Sequence, residues 1–214
     1  EGKARDRARG YAPRGTVVQL MTTVAEEVLI SGPAGTGKSR GVLEKINAIM
    51  WLFPGSRALI VRKTRRSLTE SGLFTLEMYV LGVDNPIVTN GPKRSHREKY
   101  IYPNGSEIVI GGLDAEDKLM STEFDIVYVM EAIETAENEW EKLKTRLRNF
   151  KVPFQQIIGD TNPGPPTHWL KQRQKRGVLQ MINSRHKDNP VLWSDRLQNW
   201  TENGRKYLLT LKNL

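Results

Sequence analysis

Apolar and polar stretches alternate along the chain in a way that predicts strands and helices in turn. Short apolar runs at Val28–Ile30, Ala58–Val61 and Ile126–Val129 have the length and composition of buried strands. After the first run, apolar residues recur with helical spacing from Val42 to Met50, and Pro54-Gly55 interrupts that pattern. Strands that alternate with helices predict an α/β fold, with a mostly parallel sheet covered by helices on both faces.

Further elements are predicted along the rest of the chain. Asn104-Gly105 separates two strand-like runs, and this dipeptide between strands is typical of a β-hairpin. The other predicted elements are a short helix over Gly15–Thr23, a helix after the basic stretch 62–66 that ends near Val80, an amphipathic helix over Ala136–Asn149, a strand over Gln155–Ile158, a turn at Pro163–Pro166, a helix after that turn, a short strand near Val178–Ile182 and helices beyond it.

A glycine-rich segment follows the first predicted strand directly. Gly32, Pro33, Ala34, Gly35, Thr36, Gly37, Lys38 and Ser39 match the pattern G-x-x-x-x-G-K-[ST] in full. Glycines let the backbone N–H groups of such a loop point at phosphate oxygens, and the following helix adds its positive N-terminal end. We expect Lys38 to reach the β- and γ-phosphates of ATP and the Ser39 hydroxyl to bind Mg²⁺. ATP and Mg²⁺ are therefore the predicted cofactors.

A second catalytic signal lies at the end of the strand Ile126–Val129. Glu131 follows this strand, where a carboxylate can orient or deprotonate the attacking water, so we predict that it is the catalytic base. Met130 stands where P-loop ATPases usually carry an aspartate that holds Mg²⁺. Either Ser39, phosphates and waters hold the metal, or Glu131 contributes as well, because Mg²⁺ readily keeps several waters.

A polar turn follows the strand Gln155–Ile158. Thr161 or Asn162 in this turn could sense the γ-phosphate by a hydrogen bond and pass its loss to a neighbouring surface. The alternative is a plain turn in which Asn162 prepares the backbone for Pro163. We predict a coupling role for Thr161 and Asn162.

Composition adds a nucleic-acid partner to this picture. The 214 residues carry a formal net charge of +9, and 38% hydrophobic content suffices for one substantial core. We predict a single ATPase domain over 1–214, with residues 1–15 as a basic N-terminal arm. The absence of cysteine excludes disulfides and a cysteine nucleophile within these residues. No apolar run approaches the roughly 18 residues of a membrane span, and we expect neither a membrane partner nor secretion.

Arginine and lysine clusters offer phosphate contacts that would not depend on DNA sequence. They lie at 62–66, 93–99, 142–151 and 171–176, and each could equally be a solvated face. Ring ATPases often complete a site with an arginine from a neighbouring subunit. Arg146 and Arg148 are the candidates for this role, Arg62 and Arg65 could also fulfil it, and a salt bridge within the helix is the alternative.

The motifs in this order resemble the ATPase domain of phage large terminase subunits. The resemblance rests on the runs SGPAGTGKS, ALIVRKTRRSLTESG, YIYPNGSEIVIGGLD, IVYVMEAIE, EWEKLKTRLRN, QQIIGDTNPGPPTHWL and NSRHKDNPVLW. It covers nearly the whole chain from Tyr11, and the combination is far more selective than the phosphate loop alone.

This resemblance implies a RecA-like P-loop ATPase of the ASCE type that drives double-stranded DNA into a viral procapsid. It also implies a homo-oligomeric ring at the capsid portal, a small terminase subunit as partner, and the host cytoplasm as location. Family members carry an RNase H-like nuclease domain after the ATPase domain, and we expect no nuclease within these residues.

Three other functions share parts of this site. A RecA-like helicase or remodelling ATPase has the same chemistry and is expected to need a second RecA-like domain. A P-loop phosphotransferase is expected to lack a base at Glu131 and to carry an arginine-rich lid. A nucleotide-binding scaffold that does not hydrolyse ATP also stays open, because Met130 replaces the usual metal-binding aspartate.

Overall fold

The computed structural model describes residues 10–114 and 121–212, and a seven-stranded sheet forms the centre of the fold. The strands are β1 Glu27–Ser31, β2 Arg57–Arg62, β3 Lys99–Ile101, β4 Glu107–Gly112, β5 Ile126–Val129, β6 Gln156–Thr161 and β7 Gln180–Asn183, with a separate ribbon of β8 Trp193–Ser194 and β9 Asn199–Trp200. The α-helices are α1 Thr16–Thr22, α2 Lys38–Leu52, α3 Arg65–Glu70, α4 Gly72–Thr75, α5 Pro86–Thr89, α6 Glu137–Lys144, α7 Trp169–Lys175 and α8 Glu202–Lys212.

The strand order is β3-β4-β2-β5-β6-β1-β7, and every pair is parallel except the β3–β4 hairpin. Strand β6 therefore lies between β1 and β5. The carboxyl ends of β1, β5 and β6 meet at one edge, which we call the carboxyl edge. The opposite edge, where these strands begin, is the amino edge.

Two apolar cores lie on the two faces of the sheet, as alternation along buried parallel strands requires. In β1, Val28 and Ile30 pack into the core beneath α1 and α2, whereas Leu29 packs into the other. Trp140 and Leu143 of α6 belong to that second core. The prediction of a mostly parallel sheet with helices on both faces is confirmed.

Most predicted elements are present, and three differ. The helix predicted after residues 62–66 begins at Arg65 and is divided into α3, α4 and a π-helical segment over Leu76–Leu81. The helix predicted over Ala136–Asn149 ends at Lys144, because the chain turns and Leu147 pairs its backbone with Phe124. The helices predicted after β7 are preceded by the ribbon β8–β9, where Trp193 and Trp200 pack edge to face at 5.1 Å. A tryptophan pair of this kind stabilises a short ribbon whose strands are too short to give a periodic signal.

Two remaining expectations concern the chain as a whole. Of the basic arm predicted over residues 1–15, residues 1–9 lie outside the described residues, and 10–14 form no regular element. No helix among the described residues combines the length and the apolar content that a membrane crossing needs.

Candidate ATP site

The phosphate loop joins β1 to α2 at the carboxyl edge. Glycine is required in this loop for two reasons, a left-handed backbone at one position and a lack of space for a side chain at another. Gly37 has φ 87° immediately before α2 begins at Lys38, a left-handed conformation that side chains rarely adopt. At Gly32 an added Cβ would lie 2.4 Å from the carbonyl oxygen of Ser184, so no side chain fits there. The loop thus has the shape that places N–H groups and a helix N-terminus at a phosphate.

Lys38 lies almost buried under this loop. Its ammonium donates hydrogen bonds to the carbonyl oxygens of Gly32 at 2.7 Å and Pro33 at 2.9 Å, and to Oδ1 of Asn162 at 3.2 Å. Burial lowers the pKa of Lys38, and the carboxylates of Asp160 and Glu131 oppose that shift. The predicted phosphate-binding lysine and the predicted coupling residue Asn162 are therefore in direct contact.

Ser39 contacts a carboxylate that sequence reasoning missed. Its hydroxyl donates a hydrogen bond to Oδ2 of Asp160, the fifth residue of β6. Asp160 is 1% exposed, and its Oδ1 accepts a hydrogen bond from the backbone N–H of Glu131 at 2.9 Å. Burial raises the pKa of Asp160, while the bonds from Ser39 and Glu131 and the charge of Lys38 lower it. An aspartate at the end of a strand next to Thr161-Asn162 was the available signal.

The residues around Ser39 fit a Mg²⁺ ion with bound nucleotide. A carboxylate and a hydroxyl are hard oxygen ligands of the kind that Mg²⁺ prefers. No group of three acidic or histidine side chains that could hold a metal by themselves occurs in the described part of the chain. In the phosphate loop, the Thr36 hydroxyl is buried and has no hydrogen-bond partner within the described residues.

Glu131 begins the turn after β5 in a strained conformation. Its φ of 50° and ψ of 54° are left-handed, which is uncommon outside glycine, and such strain concentrates at functional sites. Burial raises the pKa of the Glu131 carboxyl, Asp160 raises it further, and Arg62 and Lys38 lower it. A raised pKa makes a carboxylate a stronger base, which suits the predicted role.

The side chain of Met130 is directed into an apolar core. It belongs to the core on the α2 face and is 4% exposed. Its sulfur packs against Gly72, where an added Cβ would lie 2.3 Å from it. Met130 therefore fills a space between β5 and α4, and its side chain offers Mg²⁺ no oxygen ligand.

The predicted coupling pair lies at the end of β6. Thr161 is 3% exposed, its carbonyl accepts from the N–H of Gly32 at 3.2 Å, and its hydroxyl donates to the carbonyl of Asn162 at 2.9 Å. The pair thus contacts the phosphate loop at both of its ends, through Gly32 and through Lys38. Their role as coupling residues stays a prediction.

Residues from the C-terminal part of the chain support the loop from outside. Asn189 donates to the carbonyl of Gly35 at 2.7 Å, and the Tyr207 hydroxyl donates to the carbonyl of Ala34 at 3.0 Å. His186 contacts the same Ala34 carbonyl at 3.1 Å. These contacts span more than 150 residues of sequence, so no local pattern could have predicted them.

Comparison with known proteins identifies the family. A family model described as phage terminase large subunit matches residues 25–208. The chain belongs to the phage terminase large subunit family. No curated protein sequence matches this terminase chain.

Solved structures share the fold at low identity. The large terminase of the thermophilic bacteriophage D6E aligns over 87% of this chain and 48% of its own, with 14% identity and a TM-score of 0.66. Other crystals of that terminase contain ADP or ATP-γ-S. The ATPase domain of the Thermus phage P74-26 large terminase aligns over 94% of this chain and 96% of its own, with 14% identity and a TM-score of 0.59. The Hef helicase domain of Pyrococcus furiosus aligns over 84% and 40%, with 17% identity and a TM-score of 0.50.

This terminase chain spans about half the length of the D6E large terminase. The structural matches bear on the fold alone, because all three identities lie below one fifth. The seven-stranded sheet with its phosphate loop is thus a RecA-like domain of the terminase kind.

The candidate arginines fall into two groups in this terminase chain. Arg146 and Arg148 lie beyond the end of α6 at the amino edge, where the carbonyl of Arg146 accepts from the N–H of Phe124 and Arg148 pairs with Glu123 at 2.9 Å. The predicted helix that was to contain them ends at Lys144, before both residues. They lie at the edge opposite their own phosphate loop, and action on a neighbour's site stays a prediction.

Arg62 lies at the end of β2, near its own site. It forms a two-pronged ion pair with Glu134 at 3.1 and 2.9 Å, and this pairing raises its pKa. Arg65 donates to the hydroxyl of Thr69 and to the carbonyl of Arg97. Both side chains are thus held by partners in the same chain.

The predicted basic clusters are partly structural. Arg97 of the 93–99 cluster is 3% exposed and donates to the carbonyls of Ile87 and Pro92. Arg173 of the 171–176 cluster is 6% exposed and binds the buried Glu27 with two hydrogen bonds. These two arginines hold the fold together and are not placed to contact DNA phosphates. DNA contacts by the remaining basic residues stay predictions.

Proposed function

We propose that the chain is the ATP-hydrolysing motor domain of a phage DNA-packaging terminase. The observation that carries this proposal is the convergence of Lys38, Ser39 and Glu131 at one edge of a RecA-like sheet, in a chain of the terminase large subunit family. The D6E terminase, which shares the fold, binds ADP and ATP-γ-S, and this supports a nucleotide at the same edge.

The phosphate loop binds and orients the nucleotide in this proposal. Backbone N–H groups of the loop and the N-terminus of α2 hold the β-phosphate, and Lys38 exchanges its carbonyl partners for β- and γ-phosphate oxygens. Ser39 takes part in holding the Mg²⁺ that, when bound, neutralises charge on the phosphate oxygens. The energy of these contacts positions the γ-phosphate next to Glu131.

Glu131 activates the attacking water. Its carboxylate accepts the proton of the water as the new bond to the γ-phosphorus forms and the bond to the β-phosphate oxygen breaks. The backbone N–H of Glu131 donates a hydrogen bond of 2.9 Å to Asp160. This bond holds the start of the turn in place and thereby orients the Glu131 side chain. Arg62 holds Glu134 in the same turn, which limits movement of the loop.

Thr161 and Asn162 transmit the state of the site. Lys38 donates to Asn162 at 3.2 Å, and recruitment of Lys38 by a γ-phosphate would break this bond. Release of phosphate would restore it and shift the end of β6. This exchange of one partner for another supplies the two discrete states that coupling requires.

The motor would act on double-stranded DNA as a homo-oligomeric ring at the capsid portal, together with a small terminase subunit, in the host cytoplasm. A ring allows an arginine such as Arg146 or Arg148 of one subunit to complete the site of the next. A net charge of +9 favours binding to DNA phosphates at any sequence, which a translocating motor needs.

The test is steady-state ATP hydrolysis over a series of protein concentrations, with and without blunt double-stranded DNA. Turnover per molecule that rises with concentration and rises again with duplex supports a ring motor. Wild-type hydrolysis compared with Lys38→Ala separates the activity from contaminating ATPases. Activity that is independent of concentration and of DNA would contradict the proposal.

A helicase is the second candidate, and the similarity to the Hef helicase domain favours keeping it. The two functions differ in their preferred DNA. A helicase is stimulated by single-stranded DNA and displaces one strand of a labelled fork. If the chain displaced that strand, helicase activity would take the place of packaging as the proposed function. If only blunt duplex stimulated ATP hydrolysis, the helicase would be excluded.

A further inference from the structure

Asp160 lies on the strand next to Met130, and Met130 stands where P-loop ATPases usually carry the aspartate that binds Mg²⁺. Strands β5 and β6 are paired in register up to Val129 and Gly159. One residue further along both strands, Met130 stands beside Asp160. Paired residues of parallel strands project to the same face, so Asp160 is displaced from the usual position by one strand spacing, about 4.8 Å.

The carboxylate of Asp160 faces the phosphate loop. Ile158, two residues earlier in β6, belongs to the core on the α2 face, so Asp160 projects towards that helix. Its Oδ2 accepts the hydrogen bond of Ser39, the residue whose hydroxyl the P-loop chemistry assigns to Mg²⁺. In P-loop ATPases the metal is held by this hydroxyl together with an aspartate, and the two groups are already in contact here.

The hydrogen bonds of Asp160 leave room for a metal. A carboxylate offers about four acceptor positions. The N–H of Glu131 and the hydroxyl of Ser39 use two of them, and the buried hydroxyl of Tyr128 lies close enough to interact with a third. Lys38 is the nearby cation, but its three hydrogen bonds go to Gly32, Pro33 and Asn162. A fully buried carboxylate with spare acceptor positions next to a phosphate loop is suited to a divalent cation.

We propose that Asp160 is the carboxylate that holds the nucleotide's Mg²⁺ in this chain, directly or through a metal-bound water, in place of the aspartate that Met130 replaces. This rests on the proposed function, since it needs a nucleotide in the phosphate loop. In this arrangement Glu131 activates the attacking water and does not bind the metal.

The test is the gain in ADP affinity that Mg²⁺ provides, measured by isothermal titration of ADP in EDTA and in Mg²⁺. We expect Asp160→Asn to bind ADP in EDTA with the affinity of the wild type. In Mg²⁺ its affinity for ADP should be about 10- to 100-fold lower than that of the wild type. Glu131→Gln and Asp125→Asn, which changes another buried aspartate far from the loop, are expected to keep the gain. The double variant Met130→Asp/Asp160→Asn returns a carboxylate to the usual strand and is expected to recover it.

The outcomes separate this inference from the proposed function. A full Mg²⁺ effect in Asp160→Asn, or its loss in Glu131→Gln alone, would overturn the inference and leave the ATPase intact. No ADP binding by the wild type under either condition would overturn both.

A second measurement needs no variant. Electron-nuclear double resonance of wild-type protein with Mn²⁺-ADP and ¹³C-labelled aspartate is expected to show coupling to an aspartate carboxyl carbon. A spectrum without that coupling would overturn the inference even if Asp160→Asn failed to fold.

Discussion

Asp125 and Asp160 are both completely buried aspartates of one sheet, and they lie at its opposite edges. Asp125, just before β5, accepts four hydrogen bonds of 2.6 to 3.1 Å, two at each oxygen. Their donors are the N–H groups of Arg57, Lys151 and Val152 and the side chain of Asn149. Asp160, at the end of β6, accepts two, from Ser39 and from the N–H of Glu131, and the buried Tyr128 hydroxyl is a further polar neighbour.

The difference shows that burial alone does not mark a functional carboxylate. The charge of Asp125 is fully compensated by the fold, and the residue ties β2, β5 and the segment after Leu147 together at the amino edge. Asp160 has spare acceptor capacity at the carboxyl edge, beside a phosphate loop. A buried carboxylate that accepts fewer hydrogen bonds than it could lowers the stability of the fold, and it is available to bind a ligand. Functional sites commonly combine these two properties.

The largest expected effect is on turnover at the carboxyl edge. We expect Glu131→Gln to lower ATP turnover by about 10²- to 10⁴-fold, because the water loses its base. Nucleotide affinity stays near that of the wild type. The control is Glu107→Gln at the amino edge, which should keep wild-type turnover in the same phosphate-release assay. Normal turnover in Glu131→Gln would remove Glu131 from its assigned role.

Lys38→Ala should weaken nucleotide binding itself. Charge-assisted hydrogen bonds contribute about 1.5 to 3 kcal/mol, so ATP affinity should fall roughly 10- to 150-fold. Fluorescence titration with a labelled ATP analogue measures this change. Lys45→Met is the matched control, since Lys45 is also buried in α2 but contacts the amino edge. Equal affinity for Lys38→Ala and the wild type would argue against the phosphate loop as the site.

Substitution of the two aspartates should also change the unfolding free energy by different amounts. Asp125→Asn places an amide N–H₂ against donors and should cost about 2 to 4 kcal/mol of unfolding free energy. Asp160→Asn should cost less than about 1 kcal/mol, because it removes a charge that burial disfavours. Urea denaturation at neutral pH measures both. A larger loss for Asp160→Asn than for Asp125→Asn would reverse the comparison.

A smaller effect concerns the buried cation of the amino edge. Lys45 donates to Leu20, Thr23 and Gln156, and burial lowers its pKa from 10.5 to about 8. Above pH 8 the unfolded chain therefore binds more protons than the folded one, so this group adds stability as pH rises. The unfolding free energy of the wild type minus that of Lys45→Met should rise by about 1 kcal/mol from pH 8 to pH 9. A flat or falling difference would show that Lys45 stays charged.

Much of the fold could be predicted from local pattern. Short apolar runs located β1, β2 and β5, and Asn104-Gly105 located the β3–β4 hairpin, because these signals arise within a few residues. The early end of α6 could not be predicted, since the pairing of Leu147 with Phe124 is a tertiary contact that overrides helical periodicity. The ribbon β8–β9 depends on a tryptophan pair rather than on alternation.

The candidate site divides in the same way. The phosphate loop is contiguous in sequence, so Lys38 and Ser39 could be named from it, and Glu131 followed from its strand. Asp160 could not, because its meaning depends on β6 lying between β1 and β5 and on the register that brings it beside Met130. Strand order is a property of the whole fold, and no single segment encodes it.

The most direct test of the contrast between the two edges is ATP turnover of Asp160→Asn and Asp125→Asn, per folded molecule. Circular dichroism first establishes a temperature at which both variants are folded. We expect turnover of Asp160→Asn to fall by about 10-fold or more through weakened metal binding, and that of Asp125→Asn to stay within about twofold of the wild type. Equal turnover in the two variants, or a selective loss in Asp125→Asn, would contradict the assignment of the chemistry to the carboxyl edge.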